Sequence, residues 1–562
     1  MFGRAKFTNI MIIYWLRKEF RSTDNPAFFQ AVKRSRETGI PLTVLFCLDD
    51  NILDEKNNVG YPQRFHLSKL LANFKAEFPF FQVIHSSPEQ VFSKLSTSQK
   101  IEVWANSDIE PHSRFRDKEV FDLLQKNGSS ITFLADQSSI NLDIRSQEGN
   151  IYKVFTHFKR AVWQEFISKK PLPKPDLIGV SFNLLNPTVF NILECLEIRK
   201  VSTNLADGSS TLNSVVVNLD NLNILKSLDK NEIYSEIQAK LWKILDTPWI
   251  LIYGNNNQNH ENNQSILDLD SILPRPNLEN WPTSELECQD LAKKFIGPRI
   301  EDYKNGRDDL SIIDNTGTSR LSMALKWGLI SSRWLINMVV QKYDPNDLEG
   351  VNQYVSELIW REFYRYVMWH NPQVLDLEVQ ARFIKTDAEG NKSSDISWLT
   401  GDQAHQRFLS WIQGKTGYPL VDAGMNEIAK TGWMHNRTRM VVASILTKNL
   451  GIDWRWGQDY FRAILVDLDE ASNNGGWQWA ASTGSDPKPI RIFNPYLQAE
   501  KYDKINAYQT KWLPKDYLPN PIIEHSQARL EAMARYGLGG GISRMSLTDG
   551  KLGTAPKPVV LL

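Results

Sequence analysis

Residues 414–486 read GKTGYPLVDAGMNEIAKTGWMHNRTRMVVASILTKNLGIDWRWGQDYFRAILVDLDEASNNGGWQWAASTGSD. Trp433, Trp454, Trp456, Trp477 and Trp479 fall inside this stretch, and Trp411 stands just ahead of it. Polar and charged residues interrupt its apolar runs repeatedly. A plain helical core has no use for Asp467, Asp469, Asn473 and Asn474 beside Trp477 and Trp479. Large rings beside convergent polar groups suggest a pocket that grips a flat, hydrogen-bonding ligand.

Eleven of the eighteen tryptophans lie between Trp327 and Trp479, so the pocket explains where the chain concentrates them. At 562 residues the chain exceeds one core, and two or more domains are expected. Apolar residues make up 41%, which supports a packed globular protein. Net charge is zero, so any nucleic-acid contact must come from a local basic surface. Cys47, Cys195 and Cys288 are odd in number and far apart, which argues against a disulfide framework and for a reducing, intracellular and cytoplasmic setting. The nine histidines show no metal-ligand spacing with cysteine, so no metal is expected. The N-terminal run Ile10 to Leu16 is short and broken by Arg17 and Lys18. It reads as a buried strand rather than a signal peptide, and no apolar segment reaches the length of a membrane span.

Upstream, apolar runs at 10–17, 41–48, 80–85, 101–104 and 131–135 alternate with helical periodicity at 27–37, 62–76, 87–96 and 116–127. That alternation predicts an α/β domain over 1–140 with a doubly wound parallel sheet, Rossmann-like. No GxGxxG follows the first strand, so a dinucleotide there is not indicated. Residues 141–285, with the Asn-rich run 254–264, read as interdomain linker with an insertion. Residues 286–520 read as an all-α domain, with helices at 286–296, 321–343, 351–370, 404–413, 422–431, 433–449 and 458–465 and a loop-like stretch at 495–520. A final helix and a disordered tail fill 521–562.

Three segments carry polar groups at suggestive spacing. Tyr303 is followed by Thr316-Gly317-Thr318-Ser319-Arg320-Leu321-Ser322 ahead of a helix. Hydroxyls, a cation and free N–H groups there make an anion site, or an ordinary helix cap. Glu357, Trp360, Arg361 and Tyr364 fall at i, i+3, i+4 and i+7 on one helix face, which suits a nucleobase and its phosphate or a plain amphipathic helix. Trp433, Asn436, Arg437 and Met440 share a third face, with Arg439 placed to pair with Asp467.

TGTSRLS, ELIWREFYR, GKTGYPLVDAGM, TGWMHNRTRM, NLGIDWRWG, DLDEASNNGGWQWAASTGSD and RIFNP, spread over 303–498, resemble the flavin-binding half of the DNA photolyase and cryptochrome family. The pattern is most similar to class I cyclobutane pyrimidine dimer photolyases. WLRKEFRSTDNPA and VFTHFKRAVW resemble the family's N-terminal half more loosely, and 181–285 matches little. The resemblance implies light-driven repair by reduced FAD of a pyrimidine dimer flipped out of duplex DNA. By position in these motifs, it implies FAD contacts from Tyr303, Thr318, Ser319, Arg320, Leu321, Ser322, Tyr354, Arg439, Asp467 and Asp469. Asn473 would face flavin N5. Glu357 would stabilise the dimer radical anion and would have to be protonated for it. Trp360 and Trp479 would pack on the dimer, with Asn436 and Met440 beside it. Trp477, Trp454 and Trp398 would hand electrons to the flavin. Arg307, Arg361, Arg437, Arg491 and Gln498 would contact DNA, mainly phosphate. An antenna pigment, folate or deazaflavin, is a further implication, with Glu110 aligned to a folate-contacting glutamate. The implied protein is a monomer that works on dimer-containing DNA. A cryptochrome-like photosensor is the alternative. A photolyase for the (6-4) product is disfavoured, because Met434-His435-Asn436-Arg437 lacks the histidine pair typical of that chemistry.

Overall fold

The computed structural model describes residues 10–49, 60–186, 215–218, 250–253, 265–268, 275–312, 316–486 and 490–538. The Asn-rich run, Cys195 and the tail from 539 onward lie outside the described residues.

The N-terminal half is the expected α/β layer structure. Strands β1 (Ile10–Trp15), β2 (Leu42–Leu48), β3 (Phe81–His85), β4 (Lys100–Asn106) and β5 (Ser130–Leu134) pair in parallel, in the order β5-β4-β1-β2-β3. Helices α1 (Pro26–Thr38), α2 (Tyr61–Glu77), α3 (Pro88–Ser98) and α4 (Pro111–Lys126) connect them. Alternate residues of β1 serve two cores, which is why the sheet is covered on both faces. Ile12 and Tyr14 pack with the Phe28 and Leu70 side chains of α1 and α2, while Met11, Ile13 and Trp15 pack with Phe92 and Leu124 of α3 and α4. Asn25 starts α1, its side chain accepting from the Phe28 amide, with Pro26 at the first turn.

The sheet does not stop at residue 140, where the sequence reading ends this domain. β6 (Ser181–Leu184) joins β2 in parallel, and β7 (Val215–Asn218) runs antiparallel to β6. Phe182 accounts for the capture of β6. It is fully buried and stacks on Phe80 with centroids 3.6 Å apart. Between β5 and β6, α5 (Phe155–Ser168) packs Phe158 against Phe363 and Tyr366 of the second half. The stretch assigned to linker therefore carries structural elements of both halves.

The second half is helical: α6 (Glu285–Phe295), α7 (Ser322–Lys326), α8 (Ser332–Val340), α9 (Glu349–His370), α10 (Gly401–Ile412), α11 (Pro419–Thr431), α12 (Asn436–Ser444), α13 (Trp454–Ile464), α14 (Glu470–Ala481), α15 (Pro495–Tyr502), α16 (Ala507–Trp512) and α17 (His525–Arg535). The single helix expected over 321–343 is broken at Gly328, which has φ +58°. A Cβ there would lie 2.5 Å from the Lys18 carbonyl oxygen, so this bare Cα is where the two halves meet. The loop expected over 495–520 contains α15 and α16. Asn494 caps α15 from its side chain, with Pro495 behind it. α14 escaped the periodicity reading because ASNNGG dilutes its apolar face, yet Asp469 caps it through the Ser472 amide. α12 begins only at Asn436, with His435 as its cap, and continues into a π-helical turn, Ile445–Asn449.

A buried charge network ties the halves together. Arg333 donates to Asp136 at 2.6 Å and to Asp24 at 3.0 Å, and Arg21 donates to the same Asp136. Burial alone would push the Asp136 carboxyl upward, but the two guanidiniums hold it below its ordinary value.

Candidate functional site

A cavity of about 480 Å³ opens among α9, α12, α14 and the segment ahead of α7. Helical spacing fixes what each wall presents. α9 contributes Tyr354, Glu357, Trp360, Arg361 and Tyr364. α12 contributes Asn436, Arg439, Met440 and Ala443. α14 contributes Ser472, Asn473, Gly476, Trp477 and Trp479, with Asp467 and Asp469 on the turn before it. Tyr303, Arg307, Ser319, Leu321 and Ser322 close the remaining side. A Cβ on Gly476 would meet no protein atom within 4 Å, so the wall there is a bare Cα open to a flat ring.

The polar groups are held in place. Arg439 donates from Nη2 to both Asp467 oxygens, at 3.1 and 2.9 Å, and from Nε to the Met434 carbonyl. Asp469 accepts from Arg365 at 2.7 Å. Burial pushes the Asp469 carboxyl up, but Arg365 and Arg361 overrule it and hold it well below the usual carboxylate range. The Asn473 amide nitrogen donates to the Gln458 carbonyl at 3.1 Å. Its carboxamide therefore has one side anchored and the other available to the cavity. Tyr303 and Tyr354 meet edge to face at 5.2 Å and form an aromatic wall.

The structure gives the other expected residues the following partners. Glu357 lines the cavity, where Arg307 donates to it directly and Gln353 donates to the same oxygen at 2.6 Å. Arg307 is thereby a cavity residue paired with Glu357. Arg361 lies deep between the cavity and Asp469, donating to the Leu325 carbonyl at 3.0 Å, and burial lowers its pKa to about 10. Arg437 turns away from the cavity to pair with Asp308 at 2.6 Å, over the Tyr502 ring. Arg491 pairs with Asp486 and covers Trp479 at 5.4 Å. Gln498 is half-buried on α15. Thr318 and Arg320 do not line the cavity. Arg320 has φ +51°, and this left-handed backbone swings its guanidinium between the Trp281 and Trp433 rings, 4.7 and 4.9 Å from their centroids. Trp433 precedes α12 and donates to Ser322 rather than sharing a face with Met440. Glu110 is committed to an ion pair with Lys18 at 2.7 Å.

Two family models match the chain, one described as DNA photolyase over residues 12–176 and one as the FAD binding domain of DNA photolyase over 354–531. The deoxyribodipyrimidine photo-lyase of a Synechococcus species is 30% identical over 93% of this chain and 96% of its own. The chain belongs to the DNA photolyase family. The deoxyribodipyrimidine photo-lyase of Escherichia coli is 38% identical over a shorter span, 46% of this chain and 56% of its own. Among solved structures, a class III photolyase from Agrobacterium tumefaciens superposes with a TM-score of 0.68 at 25% identity, covering 95% of this chain and 98% of its own. The family's FAD binding domain fits what the cavity shows: a set of hydroxyls, an Arg439–Asp467 ion pair and an amide around an open, ring-sized space.

Behind this photolyase-family cavity, Trp477, Trp454 and Trp398 are all buried, at 2%, 0% and 2% exposure. Their indole N–H groups have no acceptor among the described residues. Trp411, by contrast, touches Trp477 edge-on at 6.0 Å and donates its N–H to the Val442 carbonyl. Sequence reasoning missed three residues that hold the site. Arg365 fixes Asp469, one position beyond the face that was recognised. Tyr364 was on that face without an assigned role. Phe155, on α5, lies flat on Trp360 with centroids 3.7 Å apart and planes 6° from parallel, and no local pattern announces that contact.

Proposed function

We propose that the protein repairs cyclobutane pyrimidine dimers in DNA with light, using FAD held in the cavity. Bound reduced FAD would supply the light absorption and the electron that opens the cyclobutane ring. Ser319 and Ser322 would hold its phosphate and ribityl side, while Asp467, steadied by Arg439, and Asp469, steadied by Arg365, would bind the edge of the ring system. Asn473 would offer an uncharged hydrogen bond to N5 without adding charge to the site.

The flipped dimer would rest between Trp360 and Trp479, with Asn436 and Met440 beside it. Negative charge arriving on the dimer needs a positive or donating group in a desolvated place. The Arg307–Glu357 pair supplies one: the guanidinium carries the charge and Glu357 aims it. The observation that carries this reading is the convergence of Glu357, Trp360, Asn436, Met440 and Trp479 on one cavity with Asp467 and Asn473. His435 does not favour the (6-4) chemistry. It is buried, its Nδ1 accepts from the Arg437 amide as a helix cap, and burial lowers its pKa to about 4.

Illumination of the purified FAD-loaded protein with a dimer-containing oligonucleotide, under reducing conditions, should remove dimers in light and not in darkness. Absence of dimer loss would move the assignment to a photosensor. Failure of the protein to take up FAD would end both readings.

A further inference from the structure

Helix α12 presents Asn436, Arg439 and Met440 to the cavity from little more than its first turn. The chain reaches it through a tight reversal: α11 ends at Gly432, which has φ +66°, and α12 starts four residues later. Glu427 of α11 reaches across that reversal. It is 1% exposed, its backbone carbonyl accepts from the Thr431 hydroxyl at 2.7 Å, and its Oε2 accepts from the His435 amide at 3.0 Å. His435 is the cap of α12, so the carboxyl grips the chain where the helix begins, at the positive end of its dipole. The same oxygen takes a second donor, the Tyr508 hydroxyl of α16, at 2.5 Å. His435 and Tyr508 are each 2% exposed, so water does not compete for these groups.

Tyr508 is fixed in its turn. Asp503, on the link between α15 and α16, accepts from the Tyr508 and Gln509 amides, each at 3.0 Å. Tyr502, the last residue of α15, lies under the Arg437 guanidinium at 4.1 Å, and its carbonyl accepts from the Leu310 amide at 2.7 Å. One buried oxygen thereby joins the helix that bears Asn436 and Met440 to the segment that bears Tyr502 and Gln498. We propose that Glu427 is a positioning residue for dimer recognition: its Oε2 locks the start of α12 to α16, so the lesion side of α12 and the DNA side of α15 keep one fixed spacing. Glu427 does not line the cavity and acts only through His435 and Tyr508. The inference rests on the repair reading above, which supplies the dimer that α12 is to meet.

Gel-shift titration of the FAD-loaded protein with dimer-containing and undamaged duplexes tests it. Glu427→Leu leaves the His435 amide and the Tyr508 hydroxyl without their acceptor. It should cut the preference for dimer over undamaged DNA by about tenfold, the scale at which residues away from a ligand alter its binding. Glu427→Gln offers both donors an amide oxygen and should restore the preference. Tyr508→Phe keeps the ring and removes only the link to α16, so it should lose part of the preference while affinity for undamaged DNA stays as in the wild type. If Glu427→Leu does not fold, Tyr508→Phe and Glu427→Gln still decide the matter. A preference kept in Tyr508→Phe, or lost in Glu427→Gln as fully as in Glu427→Leu, overturns the lock and leaves the repair reading standing. A wild type with no preference for the dimer would overturn the repair reading itself.

Discussion

Phe155 lies face to face on Trp360, 3.7 Å away, so a residue from the α5 segment braces the ring assigned to the lesion. The brace reaches further: Lys159 of α5 donates to Asn352 and Ser356 of α9, at 3.1 and 2.7 Å. Phe155→Ala should weaken binding of dimer-containing DNA by about fivefold, since an aromatic pair contributes ~1 kcal/mol beyond its buried area. Flavin content should be unchanged, and Phe155→Tyr should restore affinity. Gel-shift titration against undamaged DNA measures both. Equal loss for damaged and undamaged DNA would remove Phe155 from lesion positioning.

The Arg307–Glu357 contact makes a different prediction from a protonated glutamate acting alone. Arg307→Met should slow ring splitting by about a hundredfold, the scale of removing one charge-stabilising donor. Glu357→Gln keeps a hydrogen-bonding partner for Arg307 and should cost less, while Glu357→Ala should bind lesion DNA yet repair with lower yield. Flash photolysis of the pre-reduced protein with bound substrate separates the three. Full activity in Arg307→Met would return the role to Glu357.

Arg437 and Arg491 are each tied to a carboxylate, Asp308 and Asp486, in the DNA-free protein. DNA phosphates would have to replace those partners. Replacing either arginine by alanine should reduce the slope of log affinity against log salt by about 1. An unchanged slope would show that the ion pair persists in the complex.

Asp469 carries an acid-sensitivity prediction. Its folded-state pKa is depressed, chiefly by Arg365 acting against burial, so its contribution is present above the unfolded value. That contribution is lost as pH falls through the ordinary carboxylate range and below it. Asp469→Asn should flatten the acid limb of stability, measured by urea midpoint against pH. It should also loosen flavin retention at neutral pH, because Arg365 and Arg361 are left without their shared anion.

Gly457 faces the Trp477 ring so closely that a Cβ would lie 2.1 Å from it. Gly457→Ala should destabilise the fold by about 1–3 kcal/mol through overpacking and displace the first tryptophan behind the cavity. Denaturant midpoint and flavin photoreduction rate should fall together. A normal rate in a destabilised variant would argue that Trp477 is not in the path.

The strands of the first half were legible because β1 and β2 are almost wholly apolar, while β4 alternates Ile101, Val103 and Ala105 with more polar positions. The cavity walls were legible because α9 and α12 place their polar residues at helical spacing. What stayed hidden depends on tertiary contact. Gly328 breaks a periodic run only because the Lys18 backbone stands against it. Arg320 turns from the cavity to lie between Trp281 and Trp433 through a positive φ that local sequence does not announce. Phe155 is separated from Trp360 by most of the chain length between α5 and α9, and the Arg307–Glu357 pairing joins residues from different segments. Periodicity reports which face a side chain occupies, not which partner waits opposite.

Gly328 also bears on how relatives of this chain could be recombined. With its α-carbon seated on the backbone of Lys18 and Glu19, a donor half bearing any side chain at that point would hold the graft apart. The opposed charges of Arg21, Asp136 and Arg333 would then face water across a wedge. Chimeras spliced between the halves should assemble only when both sides of that seam come from one parent, or when the incoming half also lacks a methyl there.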